Sequence, residues 1–448
     1  MRRGRGPRPP VLGTEQPQRR GPDRGDDGRD GDKMSAAPPV SVVIASHRRP
    51  AALKLCLTAL RFQDYRPFEV IVAADRAGLD AVAELDLAAR VKTVHVEETG
   101  VAAARNAGLA LAAGDIVAFI DDDAVAEPTW LRELTAPFAE ARVAAAGGFV
   151  RGRNGISFQW RARWTDDCAR HFPLDVPDDR PSLHRGDRDR AIRTEGTNMA
   201  YRRDTLLGLG GFDPGYRFFL DETDVNMRLA RAGAVTAIAP CAQVHHGFAP
   251  GPFRRPCRTP RTLYDIGRSS VRFLRKFAPD QAHPAALAEL RAGQHAALVA
   301  RLVDGRIEPR DLTRLLRTLE DGIAAGLADT ITDPAPVHPT HSALLPFADT
   351  PPRPQKVLAG RGWWRPWLRR RARRLAAQGH PVTLFLFTHT ARYHRMGFSP
   401  AGYWVQSGGL FGRSERTGPL IRWYTLPARL RHECARLRPV RPLRAPGR

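Results

Sequence analysis

The chain has 448 residues, 42% of them hydrophobic and 26% charged, so it is long enough for two or three domains and too apolar to be disordered throughout. Seventy Lys and Arg against 47 Asp and Glu give a formal net charge of +23, a balance that suits polyanionic or phosphate-bearing partners and also reflects an Arg-, Ala- and Pro-rich composition. Five scattered cysteines without a CxxC pair exclude a disulfide framework or zinc ribbon and point to a reducing compartment, and no run approaches the ~20 apolar residues of a membrane span.

In chain order, residues 1–36 are rich in Gly, Pro, Arg and Asp and are expected to be a disordered tail, with translation expected to start naturally at Met34. From Val40 the signals become regular. "VSVVIAS" predicts a strand, "RPAALKLCLTALRFQ" a helix opening near Pro50, and "FEVIVAAD" a second strand. "KTVHVE" predicts a third strand, "GVAAARNAGLALAAG" a helix, and "DIVAFI" a fourth strand. Alternating strands and helices imply a doubly wound, mostly parallel α/β sheet, which places Asp75 and the Asp121, Asp122, Asp123 cluster at strand ends on one edge.

Residues 151–193 are charged and irregular and predict a mobile loop or cover. A strand, a short helix, a Gly-rich turn and a helix across Asp224 to Ala232 follow, then a last strand carrying His245 and His246. Domain limits are expected at 37–278 for the α/β domain, 279–332 for a helical spacer, 333–354 for a Pro-rich linker and 355–448 for a small basic α/β module. In that module "GWWRPWLRRRARRLAAQG" sets three tryptophans beside an Arg run. That composition suits either the surface helix of a small fold or peripheral contact with an anionic membrane.

Three aspartates directly after a buried apolar run are costly, because neighbouring carboxylates raise one another's pKa unless a cation neutralises them. A hard divalent ion such as Mn²⁺ or Mg²⁺, which takes oxygen ligands, is one reading; a solvated acidic turn leading into the next helix is the other. "GLGGFDPG" follows a helix rather than a strand, so its glycines do not predict a dinucleotide site.

The segments "VSVVIASHRRP", "GVAAARNAGLALAAGDIVAFIDDDA", "EGTNMAYRRD", "GGFDPGYRFFLDETDVNMRLARAG" and "VHHG", with the strand-end Asp75, occur in an order that resembles the family 2 glycosyltransferases of the GT-A fold over about residues 40–250. The resemblance implies an inverting transfer of a sugar from a nucleotide diphosphate sugar, with UDP-sugar the first expectation and dTDP- and GDP-sugars alternatives, to a glycan or lipid-linked acceptor hydroxyl. Polysaccharide or cell-surface glycan synthesis is the implied setting. It implies Mn²⁺ or Mg²⁺ held by Asp121 and Asp123, with His245 or His246 approaching and His245 taken as the ligand. Ala45, Ser46, Asp75, Arg105, Asp121 and Asp122 would border the nucleotide sugar, and Asn198 and Asp224 the acceptor. The acidic pair, reversed here as Asp221-Glu222, would supply the base, Glu222 by position and Asp221 as the alternative. A cytoplasmic enzyme is expected, with peripheral contact at the inner face of the plasma membrane and no specific nucleic acid partner. The rival is a catalytically inactive GT-A scaffold that binds polyanions or the membrane surface.

Overall fold

The computed structural model describes residues 37–97, 100–247, 251, 255, 257–348 and 353–443, all within one compact unit. The expected tail, with Met34, lies outside the described residues. The first half runs β1 (Val40–Ser46), α1 (Pro50–Leu60), β2 (Phe68–Ala74), α2 (Arg76–Ala83), β3 (Val91–His95), α3 (Val101–Ala110), β4 (Ile116–Phe119), β5 (Ala124–Ala126), α4 (Trp130–Thr135) and β6 (Val143–Arg151). Next come five short strands, β7 (Phe158–Trp160), β8 (Arg163–Asp166), β9 (His171–Pro173), β10 (Ser182–Arg185) and β11 (Arg190–Arg193). They lead to β12 (Met199–Arg202), α5 (Arg203–Gly208), α6 (Asp221–Arg231) and β13 (Val235–His246). Helices α7 (Tyr264–Phe277), α8 (His283–Val303) and α9 (Pro309–Ala328) follow. The chain closes with β14 (Lys356–Arg361), α10 (Arg365–Ala377), β15 (Val382–Thr388), β16 (Arg395–Ser399), β17 (Tyr403–Gly409) and α11 (Leu426–Leu437).

The large sheet has the order β10-β13-β6-β12-β4-β1-β2-β3. Strands β3, β2, β1 and β4 are parallel, β12 is antiparallel to both its neighbours, and β6 and β13 are again parallel to each other. The expected mostly parallel α/β sheet is present. Val42 and Ile44 of β1 pack into one core beneath α1, while Val43 enters a second core with Leu109 of α3 and Val225 of α6. Burial of both faces is why these strands read as unbroken apolar runs.

Two stretches are settled only by the structure, the first between the alternatives of loop and cover. Residues 151–193 are an ordered cover rather than a mobile loop: β11, β8 and β9 form a three-stranded sheet, Trp164 stacks on Phe172 at 4.2 Å, and Arg190 lies over the Trp164 ring at 4.8 Å. The described part of the Pro-rich stretch, residues 333–348, lies against the large sheet and its helices as a strap. Phe347 is fully buried against Phe68, its amide donates to the Phe68 carbonyl at 2.9 Å, and the Leu345 amide donates to buried Glu69 at 2.9 Å. Proline removes amide donors, so the remaining amides find partners one at a time instead of forming a ladder.

The C-terminal strands form their own four-stranded sheet, β14-β15-β17-β16, with β14, β15 and β17 parallel. It is joined to the large sheet through a core that includes Val125 and Ile156 on one side and Phe385, Met396 and Trp404 on the other. At the centre of that junction, fully buried Arg441 clamps Glu127 through both carboxylate oxygens at 2.7 Å and lies 4.0 Å from the Trp404 ring centroid. Among the described residues no helix is long and apolar enough to cross a membrane.

Candidate active site

Parallel strands β1, β4, β6 and β13 end on one edge, where the chain leaves each strand into a loop and its side chains can face solvent. A cleft of about 330 Å³ opens there, bordered by the tip of β1, the turn between β4 and β5, the start of α6 and the end of β13. The three aspartates occupy that turn, and they diverge. Asp122 turns inward, accepting from Ser46 Oγ at 2.8 Å and from Arg49 at 2.9 Å, and burial outweighs the Arg49 guanidinium so that its pKa is pushed up to about 7. Asp121 faces Arg105 at 3.2 Å, and Asp123 meets His246 Nε2 at 3.2 Å.

Ligand atoms of Asp121, Asp123 and His246 lie within 4.8 Å of one another. Two carboxylates and one imidazole form a donor set that fits Mn²⁺ or Mg²⁺. Asp122 and Asp123 are buried, which removes the reading of a solvated acidic turn.

His246, rather than the expected His245, is the histidine that stands beside Asp121 and Asp123. On β13 the two rings point to opposite faces, His246 pairing with Ala124 and His245 with Val125. His245 packs 4.7 Å from the Trp404 ring and donates from Nε2 to Glu127 at 2.8 Å, because an ionised carboxylate only accepts.

Across the cleft, α6 begins with the acidic pair. Phe219 and Leu220, just before it, both hold left-handed backbone (φ 75° and 68°), a conformation costing a non-glycine residue roughly 1–2 kcal/mol each. That turn aims Asp221 and Glu222 at the cavity rather than along the preceding loop. Arg105, from α3, bonds Asp221 and Asp121 together, and also donates to the Gly196 carbonyl at 3.0 Å. The basic residue thus joins the two acidic groups across the cavity.

Burial pushes Asp221 up to about 7 despite Arg105. Burial also opposes the charge on Glu222, yet Arg193 at 3.2 Å and Arg105 outweigh it and hold Glu222 below the ordinary glutamate value. Glu222 is therefore ionised at neutral pH, the state a base requires.

Ala45, Ser46, Arg105, Asp121 and Asp122 all border the cleft. Asp75 is outside its lining. It caps α2 by accepting from the Gly78 amide at 2.9 Å, accepts from the Arg48 amide at 2.8 Å, and stands 3.4 Å from His47, which does line the cleft. Asn198 and Asp224, expected on the acceptor side, are outside the cleft lining. Asn198 is fully buried, accepting from Trp130 Nε1 at 2.8 Å and donating to the carbonyls of Phe149 and Ala242, so its amide is spent on fixing β12 and its neighbours. Asp224 is fully buried and bonded to Arg228 and Lys276, which ties α6 to α7.

Sequence reasoning missed Arg49, Arg193 and Glu195. Glu195 borders the cleft, burial pushes its pKa to about 7 despite Arg193 at 3.3 Å, and its Oε1 has no hydrogen-bond partner among the described residues. Its position in "EGTNMAYRRD" beside a predicted strand was the available signal; nothing in the spacing revealed that it faces Glu222 through Arg193.

Residues 41–209 match the family described as Glycosyl transferase family 2. Among similar proteins, the glucosyl-dolichyl phosphate glucuronosyltransferase of Haloferax volcanii is 29% identical over 181 residues, covering 39% of this chain and 56% of the relative. The succinoglycan biosynthesis protein ExoM of Rhizobium meliloti is 28% identical over 221 residues, covering 46% of this chain and 66% of the relative. The chain thus spans little more than half of the first relative's length. Among solved structures, the mannosyltransferase PcManGT from Pyrobaculum calidifontis in complex with GDP-Man and Mn2+ is 19% identical with a TM-score of 0.39, covering 66% of this chain and 89% of that one.

Proposed function

We propose that this chain, whose residues 41–209 match glycosyl transferase family 2, is a metal-dependent inverting enzyme. It would move a hexosyl group from a nucleoside diphosphate sugar, UDP-sugar first, to a glycan hydroxyl in polysaccharide or cell-surface glycan synthesis. The observation that carries this reading is the opposition of Asp121, Asp123 and His246 on one wall to Glu222 on the other, in one cleft.

Asp121, Asp123 and His246 would hold a divalent ion, which when bound neutralises the charge developing on the departing diphosphate. Glu222 takes the proton of the acceptor hydroxyl as that oxygen bonds to the anomeric carbon. The bond from that carbon to the diphosphate oxygen breaks on the opposite face, which inverts the configuration. Arg193 keeps Glu222 ionised, and Arg105 fixes Asp221 and Asp121 so that the two walls keep their spacing. Glu195, carrying a proton below about pH 7, presents a hydrogen-bond donor to the bound sugar or diphosphate.

Calorimetric titration with a panel of UDP-, dTDP- and GDP-sugars, in Mn²⁺ and then in EDTA, tests the proposal. Metal-dependent binding of one donor is expected. A folded protein that binds none of them would return the inactive, polyanion-binding scaffold to first place.

A further inference from the structure

Nine large apolar side chains stand exposed among the described residues, and seven of them lie between residues 363 and 423. Topology brings those seven together. Strands β14, β15 and β17 are parallel, so the segments after Arg361, Thr388 and Gly409 all leave the same edge of the small sheet. Trp363, Trp364 and Trp367 lie at one corner, 72%, 58% and 46% exposed. Tyr393 follows β15, and Leu420, Ile421 and Trp423 follow β17, Trp423 being 80% exposed. These loops are bonded to one another: the Leu410 amide donates to Thr388, the Phe411 amide to Thr390 and the Arg422 amide to Phe411, while Trp423 packs 4.7 Å from Phe411.

The charge on this edge is one-sided. No aspartate or glutamate occurs between residues 356 and 414. Helix α10 buries Leu368 and Ala372 against the sheet and otherwise presents six arginines and no acidic group. Two of the tryptophans carry guanidinium groups nearby, Arg361 at 5.5 Å from the Trp363 ring and Arg371 at 5.4 Å from Trp367.

We propose that this edge is a docking surface for an anionic lipid bilayer. Tryptophan is favoured at the water–lipid boundary, where its ring is buried and its N–H stays wet, and adjacent arginines reach phosphate headgroups. Leu420 and Ile421 supply aliphatic insertion, which base stacking on a nucleic acid would not use. A second copy would bring the same positive edge against itself.

The loop 152–157 gives the docking edge a route to the catalytic cleft. It leaves β6 on the active-site edge of the large sheet, and the Met396 amide donates to the Asn154 carbonyl at 2.8 Å while Arg416 reaches Ser157. Docking would therefore present the cleft near the bilayer surface, where an acceptor held in lipid would be concentrated.

The test uses the full chain in flotation with phosphatidylcholine vesicles, with and without phosphatidylglycerol. Binding to the anionic vesicles is expected, weakening about fivefold for each α10 arginine replaced by glutamine and at least about tenfold when Trp363, Trp364 and Trp367 become serine. Donor binding by calorimetry should be unchanged in those variants. In the unmodified chain, vesicles with brominated acyl chains should quench tryptophan fluorescence, which decides the matter even if a variant misfolds. Absence of binding to anionic vesicles, equal binding to neutral ones, full binding by the serine variant, or no quenching would each overturn the proposal. Binding of duplex DNA undiminished by the serine changes, with no vesicle binding, would assign the charge to nucleic acid instead.

Discussion

The cleft and the junction between the two sheets are both built from buried carboxylates and arginines, yet they hold their protons in opposite ways. In the cleft, burial prevails at three carboxyls and pushes Asp122, Asp221 and Glu195 up to about 7, while Arg193 and Arg105 hold Glu222 down. At the junction, burial also opposes charge on Glu127, but Arg441 and His245 outweigh it and hold the carboxyl down at about 2. Glu433 of α11 is likewise held at about 2 by Arg436 and Arg429 against burial. Glu127 accepts from Arg441 through both oxygens and from His245, which makes it a structural group. Glu195, at the wall of the cavity, leaves Oε1 without a hydrogen-bond partner among the described residues and is poised for a ligand.

The sharpest break between them should appear in turnover. Asp123→Ala is expected to lower transfer by at least about 10³-fold, and Glu222→Gln by about 10²–10⁴-fold with donor binding retained. Thermal unfolding of both variants should stay close to that of the parent. If Glu222→Gln remains active while Asp221→Asn is inactive, the base is Asp221.

At the junction the expected loss is stability. Arg441→Leu strands Glu127 and should cost about 3–5 kcal/mol in urea unfolding, whereas Glu127→Leu with Arg441→Leu should recover much of it, because no uncompensated charge remains. A double variant as unstable as the single one would show that shape, not charge pairing, holds the sheets together.

Dependence on pH should then carry opposite signs. The Glu127 pKa is depressed, so its contribution is present above its ordinary value of 4.5 and is lost as pH falls towards about 2. Glu127→Gln should therefore destabilise most at neutral pH and progressively less in acid. The Glu195 pKa is raised, so its contribution is present below 4.5 and is lost as pH rises through about 7. Glu195→Gln should stabilise the protein at pH 8 relative to the parent and leave it little changed at pH 4. Parallel pH–stability profiles for the two variants would contradict the contrast between cleft and junction.

The smallest effect is expected at Asp75. Losing its cap on α2 should cost about 1 kcal/mol in Asp75→Ala. If Asp75 also receives the nucleotide base, donor affinity falls in addition; unchanged affinity would leave it a helix cap alone.

Much of the large sheet and the chemistry of its edge could be read from residues alone. Unbroken apolar runs such as Ile116–Phe119 announce strands covered on both faces, and three aspartates directly after one of them announce a charge problem needing a solution. Local order, however, does not distribute the three carboxylates. Asp122 turning into Ser46 and Arg49, while Asp121 and Asp123 stay at the cavity, depends on partners about 75 residues away.

The choice between His245 and His246 is of the same kind. Strand alternation guarantees that only one of them faces the cleft, but which one is a matter of register with β5, and a register lies between strands rather than within one. Short strands of three or four residues in 158–193 carry too few turns of the two-residue period to be recognised, and the Pro-rich strap has no period at all. Arg441 meets Glu127 across 314 residues of sequence. Composition and order thus determined the α/β sheet, its apolar strands and the acidic residues available to a metal and a base. Tertiary structure decided which acids line the cavity and which are buried away from it, because only packing brings side chains distant in sequence to one strand edge.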